Sequence, residues 1–395
     1  MPTNGANWAL RFAVLMLSLV ANAQANNAID DILELSLAEL AETKVTVASL
    51  SEEKLSHTSV PVSVITSAMI AQSGATSLKE LLLTYVPGFT NVADQNEVNI
   101  AARGIFTSAQ QKILILLNGH RLNSRSYSMA APDHSISLDK IKQIEVLRGP
   151  ASALYGNVSL TATINIILKS ANDVNQHQIS VLSGNHGQQG LSLLGSQESD
   201  DWQTIGWFNS YRANGEKIFQ SPEDTYAAIP QDQNQAIFNG FKDRSPYDMG
   251  VHWTSQNYQL LINARRAHYV EPYTAGGLSG EPYEYEAYEQ FDGYGPGLGY
   301  EAQHLELATQ QDVGEWHTNT AIYWDNTALK SRLVIDPANQ VFGGPSWRDY
   351  NLGLLSTWRS SFNEHQILLG TQLEYYKVFD AAFPVGINSY AVNGS

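Results

Sequence analysis

The second half of the sequence alternates in polarity, and this alternation restricts the fold more than any other feature. Residues 249–254, 258–264, 318–324 and 367–375 place apolar or aromatic side chains at every second position, with mostly small or polar ones between. A period of two is that of a β-strand with two different faces. Each run is about ten residues long, the length of a tilted strand that crosses a bilayer. The pattern predicts an antiparallel sheet, either the wall of a membrane barrel or a soluble β-sandwich.

The connections between these runs differ greatly in length. Residues 255–257 form a short one, whereas 213–246 and 270–300 are long. Short turns on one side and long loops on the other are typical of outer-membrane barrels, as are aromatic residues near the strand ends. The aromatic residues in such positions are Trp202, Trp207, Trp253, Tyr323, Trp324 and Tyr375. These features favour the barrel over the sandwich.

The N-terminus carries the pattern of a secretory signal peptide. Arg11 precedes the apolar run FAVLMLSLV, and the small residues of ANAQA follow. This order predicts cleavage after Ala23 or Ala25, so residues 1–25 are interpreted as a signal peptide. No later stretch has the ~20 uninterrupted apolar residues of a membrane helix. A mature chain that enters a membrane must therefore do so as a barrel, because only helices and closed barrels satisfy every backbone group in lipid.

Charge and cysteine content exclude several classes of protein. Lys and Arg number 23 against 39 Asp and Glu, which gives a net charge of −16. Nucleic acid is therefore not an expected partner, because phosphates require a basic surface. The chain has no cysteine, which excludes disulfides, thiol catalysis and zinc bound by cysteine.

Residues 51–170 differ from the alternating half, since they mix helix and strand signals with frequent turns. The apolar helix LKELLLTY ends at Pro87-Gly88. The strand KILILL is turned by Asn118-Gly119, a dipeptide that favours hairpins. These signals predict a compact α+β domain of ordinary size in front of the sheet.

Several short motifs of this domain, in their order and spacing, resemble the plug domain of TonB-dependent outer-membrane receptors. The resemblance is carried by LLLTYVPGF, IAARGIF, ILILLNGHRL, IEVLRGPASALYG and INIILK. The stretch ETKVTVAS lies where that family keeps its TonB box. Three positions depart from the family pattern: Asn118 stands where Asp is usual, Ala162 where Gly is usual and Leu168 where Thr is usual. The second half of the chain carries the resemblance only in its alternating pattern.

The resemblance implies a plug domain at residues 51–170, a periplasmic N-terminal segment at 26–50, and antiparallel transmembrane β-barrel strands at 171–395. It implies a receptor in the outer membrane, in contact with lipid, that takes up a scarce small ligand such as a siderophore or cobalamin. TonB, the energy-coupling partner, would receive the TonB-box-like segment as an added strand. That segment consists of Glu42, Thr43, Lys44, Val45, Thr46 and Val47. The plug motif residues are Pro87, Gly88, Arg103, Gly104, Asn118, Gly119, Glu145, Arg148, Gly149, Pro150, Tyr155, Gly156 and Asn165.

The turn after the strand IEVL has a physical interpretation in that setting. Gly149 and Gly156 are expected to adopt backbone angles that a Cβ atom disfavours, and Pro150 stiffens the turn. Arg148 and Glu145 are expected to pair with charges on the polar inner surface of the barrel, where an unpaired charge is costly.

Sequence motifs for catalysis or cofactor binding are absent. The ten histidines fall singly, without the i, i+4 pairing of a helical metal site. No glycine-flanked nucleophile and no phosphate-binding glycine loop occurs. The sequence therefore predicts no enzyme activity, no cofactor and no metal ligands.

One long connection is a candidate for ligand contact. Residues 269–300 are rich in tyrosine and glutamate, and exposed tyrosines can stack on sugars or aromatic ligands. The candidate contact residues are Tyr273, Tyr283, Tyr285 and Tyr288. The alternative is a long surface loop without a ligand, since such loops are only sometimes functional.

Two other classes of protein stay open at this point. An exported, soluble glycan- or cation-binding β-protein would share the alternation and the signal peptide. An exported hydrolase is disfavoured because no catalytic motif is found. The barrel has a difficulty of its own: about nine candidate strands follow residue 175, against 22 in plugged outer-membrane transporters. An open sheet edge is not viable in lipid, so the sequence predicts an incomplete barrel from a fragment of a longer protein.

Overall fold

The computed structural model describes residues 42–48, 53–94, 97–106, 111–174, 177–219, 235–238, 240–241, 245–274, 283, 285–288, 296–362 and 365–387. The expected signal peptide, residues 1–25, lies outside the described residues. In the described part of the chain, no helix is both long enough and apolar enough to span a membrane.

An N-terminal domain precedes a long antiparallel sheet. The elements of the domain, in chain order, are β1 Lys44–Val45, β2 Glu53–Lys54, β3 Val62–Thr66, α1 Ser67–Ser73, α2 Leu78–Tyr85, β4 Phe89–Asp94, β5 Glu97–Ala102, β6 Ile113–Leu117, β7 His120–Arg121, β8 Ile141–Leu147, α3 Ser152–Tyr155 and β9 Ala162–Leu168. The strands that follow are β10 Gln178–Ser183, β11 Gln189–Glu198, β12 Trp202–Arg212, β13 Glu216–Phe219, β14 Gln235–Phe238, β15 Tyr247–Ser255, β16 Tyr258–Val270, β17 Gly297–Val313, β18 Trp316–Asp336, β19 Val341–Gly343, β20 Ser346–Phe362, β21 His365–Ala382 and β22 Val385–Ile387.

The core of the N-terminal domain is a five-stranded sheet in the order β3-β8-β9-β6-β7. Strands β6 and β9 run parallel, and the other pairs are antiparallel. All five residues of β6 are buried, as expected for a central strand of apolar residues. Helix α2 packs on this sheet, since Leu78, Leu81 and Leu82 share one buried cluster with Ile115 and Ile144.

Two of the predicted turns have the expected geometry and one does not. Asn118 and Gly119 have φ of 48° and 84°, the positive angles of a type I′ hairpin turn, which connects β6 to β7. Gly156 has φ of 74°, a conformation that favours glycine. The expectation for Gly149 is wrong: its φ is not positive, and a Cβ atom there would meet nothing within 4 Å.

Nine long strands form one antiparallel meander, which we call the wall: β10, β11, β12, β15, β16, β17, β18, β20 and β21. Strands β13 and β14 form a separate hairpin inside the long connection from β12 to β15. Within the described residues β10 pairs only with β11, and β21 only with β20, so the sheet does not close. This confirms the expected arrangement of an α+β domain followed by an incomplete barrel.

The wall is apolar on its open face. A row of directly paired residues crosses six strands, and each of its side chains is exposed; we call it the outer row: Val251, Ile262, Leu305, Trp324, Leu352 and Tyr375. The neighbouring inner row is polar and points the other way: Asn263, His304, Asp325 and Asn351. A β-sandwich buries its apolar face and exposes its polar one, so the wall has the opposite arrangement.

The aromatic residues near the strand ends divide between the two faces. Trp324 and Tyr375 lie on the open face, in the outer row, and their place in an interfacial belt stays a prediction. Trp207 and Tyr323 are buried, with only 4% and 3% of their surface exposed. Their assignment to an interfacial belt is wrong, because both side chains lie on the inner face of the wall.

Candidate functional site at the domain–wall interface and the docked segment

Residues 42–47 lie against the N-terminal domain, and we call them the docked segment. Val45 and Val47 are fully buried. One carboxylate oxygen of Glu145, Oε2, accepts three hydrogen bonds: from the backbone N–H of Thr46 at 2.9 Å, from its hydroxyl at 3.0 Å, and from the N–H of Val47 at 2.9 Å. Among the contacts that the structure describes, Glu145 does not pair with the wall as expected; its charge satisfies backbone donors that burial would otherwise leave without partners.

Three more side chains of the domain sheet and its turn hold the same segment. Asn165 donates to the hydroxyl of Thr46 at 3.1 Å, and Gln143 donates to the carbonyl of Lys44 at 2.9 Å. Tyr155 donates its hydroxyl to the carbonyl of Val47 at 3.0 Å. Burial and the charge of Glu145 raise the pKa of Tyr155 well above its usual value, so the phenol keeps its proton. The motif residues Glu145, Tyr155 and Asn165 thus act together as a clasp.

A second group of motif residues, Gly88, Gly104 and Arg148, lies at the turns around Arg103. The N–H of Arg103 donates to the carbonyl of Gly88, and its guanidinium Nη2 donates to the carbonyl of Arg148, each at 2.8 Å. Arg103 has φ of 55°, and Gly104 continues the turn. Among the described contacts, Arg148 is held within the N-terminal domain rather than by a charge of the wall.

A buried ion pair joins the N-terminal domain to the wall. Lys140 Nζ lies 2.6 Å from Asp248 Oδ2, with 2% and 0% of the two side chains exposed. Asp248 also accepts from the N–H of Ser137, from the Trp207 indole at 2.9 Å and from Asn263 at 2.7 Å. Burial lowers the pKa of Lys140, and the charge of Asp248 opposes this effect. Each oxygen of this buried carboxylate therefore accepts from two donors.

A second polar contact lies further along the wall, at the hairpin of Asn118 and Gly119. His120 Nε2 is 3.0 Å from Asp325 Oδ1, and His120 Nδ1 is 3.4 Å from Glu306 Oε2. Burial lowers the pKa of His120, but the charges and hydrogen bonds of Asp325 and Glu306 outweigh burial and raise it to about 9. Because each ring nitrogen faces a carboxylate, Asp325 or Glu306, His120 carries a proton on both nitrogens at neutral pH.

A small cavity of about 20 Å³, with room for little more than one water molecule, lies between residues 121–125 and the wall. Its lining includes Arg121, Arg125 and Arg265 as well as Asp325 and Asp349. Asp349 accepts from the N–H of Ser126 and from the hydroxyls of Ser126 and Thr327. The interface is thus a polar, partly open space that has charges of both signs.

The tyrosine-rich connection differs from the expectation of exposed rings. Tyr283, Tyr285 and Tyr288 are 7%, 2% and 3% exposed, and they form a buried cluster with Ile237, Val270 and Val334. The hydroxyl of Tyr283 donates to the carbonyl of Glu271, and Tyr273 is half-buried. These tyrosines pack the long connection together, and their contact with a ligand stays a prediction.

Several residues at the interface were not anticipated from the sequence: His120, Lys140, Asp248, His304, Glu306 and Asp325. Their partners lie far apart in the chain, for example 205 positions between His120 and Asp325. One local signal did exist. His304 and Glu306 are two residues apart on an alternating strand, so they share a face, and that face interrupts an otherwise apolar run.

Comparisons with known proteins agree with this architecture. Residues 54–163 match the family model described as the TonB-dependent Receptor Plug Domain. The chain is 27% identical over 330 residues to the vitamin B12 transporter BtuB of Vibrio cholerae serotype O1. The matched region covers 78% of this chain and 51% of that protein. The chain therefore spans about half the length of this curated relative.

Solved structures share the fold. The unliganded ferric citrate transporter FecA matches with a TM-score of 0.63 at 13% identity, over 89% of this chain and 52% of that one. A mutant of the ferric enterobactin receptor PfeA from Pseudomonas aeruginosa matches with a TM-score of 0.56 at 17% identity, over 81% of this chain and 49% of that one.

Proposed function

Because this chain carries a TonB-dependent receptor plug domain, followed by antiparallel strands with the fold of TonB-dependent barrels, we propose that it contributes the plug and part of the wall of an outer-membrane receptor. The receptor takes up a scarce small ligand by a step that TonB energises. The N-terminal domain described above is this plug domain. The relatives at family level are receptors and transporters, not enzymes.

The docked segment carries the proposal. Its sequence position is that of a TonB box, and it is held by side chains of the plug motifs rather than by a long strand pairing. Side-chain hydrogen bonds of this kind can be exchanged for backbone bonds to another protein without unfolding the domain. In the proposed cycle a ligand on the side of the long connections displaces the plug domain, Glu145 releases residues 42–47, and these add as a strand to TonB.

The proposal specifies the chemical class of the ligand but not the individual compound. The relatives are named for vitamin B12, ferric citrate and ferric enterobactin. Each is a scarce metal chelate, and we propose a ligand of that kind, such as a siderophore or a cobalamin. The soluble glycan- or cation-binding alternative is not favoured, because the open face of the wall bears the apolar outer row.

Strand addition can be tested with a peptide of residues 42–48 and the periplasmic domain of TonB. We expect the peptide to bind and Val45→Pro to abolish binding, because proline has no N–H to donate to a partner strand. Val45→Thr is the matched control, since it keeps the N–H and the β-branched shape and is expected to bind like the native peptide. Equal binding by the proline and threonine peptides, measured by calorimetry, would show that residues 42–48 do not bind as a strand.

A second prediction concerns the clasp formed by Glu145, Tyr155 and Asn165. Glu145→Ala in the full chain is expected to increase hydrogen exchange at the amides of Thr46 and Val47 by about 10- to 100-fold, since each donates a charge-assisted bond to Glu145. The same variant is expected to bind the periplasmic domain of TonB more tightly, because the docked segment is already released.

Glu315→Ala is the control for this experiment, since Glu315 lies exposed in the short turn between β17 and β18. It should leave the exchange of both amides unchanged. Native exchange rates at Thr46 and Val47 in the Glu145 variant would contradict the role of the carboxylate.

A further inference from the structure

Two histidines from distant parts of the chain stack where the plug domain meets the wall. His120 begins β7 of the plug domain, and His304 lies on β17 of the wall. Their ring centroids are 3.8 Å apart and the rings are inclined by 24°. Only 9% and 6% of the two residues is exposed.

Asp325 fixes the orientation of both rings. Its Oδ1 lies 3.0 Å from Nε2 of His120 and 2.7 Å from Nδ1 of His304. A carboxylate only accepts hydrogen bonds, so each of these nitrogens donates. The nitrogens left over for other partners are Nδ1 of His120 and Nε2 of His304. A carboxylate that binds the far nitrogen of each imidazole is the usual second partner of a metal-binding histidine.

Of the two remaining nitrogens, one lies near a carboxylate and the other lacks a hydrogen-bond partner among the described residues. Nδ1 of His120 lies 3.4 Å from Oε2 of Glu306. Nε2 of His304 is buried and has no hydrogen-bond partner among the described residues. One ligand atom from each of His120, His304 and Glu306 lies within 4.8 Å of the other two. Ligand atoms around a tetrahedral ion at ~2.1 Å are ~3.4 Å apart, so side-chain shifts of up to about 1.4 Å would close the site.

We propose that His120, His304 and Glu306 bind one divalent transition-metal ion such as Zn²⁺, with Asp325 as the carboxylate that orients both imidazoles. Two imidazoles and a carboxylate suit zinc, copper or nickel rather than calcium or magnesium. The proton that His120 shares with Glu306 leaves when the ion binds, as it does for any imidazole ligand. Since one ligand comes from the plug domain and two come from the wall, the ion links these two parts. The site does not depend on which ligand the receptor transports.

The test uses the full chain, purified in detergent with an affinity tag that lacks histidine and stripped with a chelator. Equilibrium dialysis against Zn²⁺ is expected to give one bound ion per chain, which His304→Gln and Glu306→Gln abolish. Asp325→Asn is expected to weaken binding by about 10- to 100-fold, as for other second partners of metal-binding histidines. His317→Gln is the matched control, because His317 also contacts a carboxylate, Asp312, at 2.8 Å but is exposed.

Copper provides a readout on the native chain that does not depend on the folding of any variant. One equivalent of Cu²⁺ is expected to give an electron paramagnetic resonance spectrum with coupling to two imidazole nitrogens. Absence of bound Zn²⁺, retention of the ion by His304→Gln, loss of the ion in His317→Gln, or a copper spectrum without two nitrogens would each overturn the proposal.

Discussion

Asp248→Ala is expected to lower the free energy of unfolding by about 3–5 kcal/mol, the largest loss among the variants considered, because it leaves Lys140 buried without its counter-ion. Lys140 is 2% exposed and lies 2.6 Å from Asp248. The Trp207 indole and the Asn263 amide lose their acceptor at the same time. The plug domain would then be held less firmly against the wall.

Urea titration of the full chain, followed by tryptophan fluorescence, measures this loss. Asp248→Asn separates charge from hydrogen bonding, since its amide oxygen still accepts from Trp207 and Asn263. It is expected to lower the free energy of unfolding less than Asp248→Ala does. Asp312→Ala is the control, since Asp312 is exposed and contacts only an exposed side chain, His317, among the described contacts; its stability should stay close to the native value. A stability of Asp248→Ala equal to that of Asp312→Ala would mean that the buried pair does not hold the interface.

Leu305→Arg is expected to cost about 2–4 kcal/mol in a lipid bilayer, since a cation on the lipid face near the middle of the membrane is strongly unfavourable. Leu305 lies at the centre of β17, in the outer row, with 43% of its surface exposed. In water, by contrast, arginine at an exposed site would change stability little.

Val313→Arg is the matched control, because Val313 is also exposed, at 49%, but ends the same strand beside the short turn. There the expected cost falls to about 0–1 kcal/mol, as for residues near the membrane interface. Both costs are measured by urea unfolding from lipid vesicles. Equal costs for the two variants would favour a wall that is surrounded by water.

Local signals in the sequence were sufficient for much of the fold. Asn118-Gly119 predicts its hairpin because few dipeptides accept two positive φ angles. The runs at 249–254 and 318–324 predict strands because successive side chains of a β-strand point to opposite faces, which gives a period of two. Gly149 shows the limit of such reasoning, since its identity as glycine does not by itself reveal its φ.

The site was harder to predict, because its contacts join distant residues. Glu145 meets Thr46 across 99 positions, and Lys140 meets Asp248 across 108. A charged residue in a β-strand pattern indicates a polar neighbour but not which one, so Glu145 was assigned to the wall. The tyrosines near residue 285 are expected in solvent because they lie in a long connection, whereas the rings pack together and with apolar residues from other strands.

The hairpin of Asn118 and Gly119 has a mechanical consequence for the whole molecule. His120, the residue that follows Gly119, contacts Asp325 of the wall. On the other side the N–H of Gly119 donates to Oδ1 of Asn165 at 3.0 Å, and the amide nitrogen of Asn165 donates to Thr46 at 3.1 Å. One amide side chain therefore spans the distance from the hairpin to the docked segment. If the hairpin moves away by more than an ångström or so, one of these two bonds must break, and a displacement at the wall becomes a change at the docked segment.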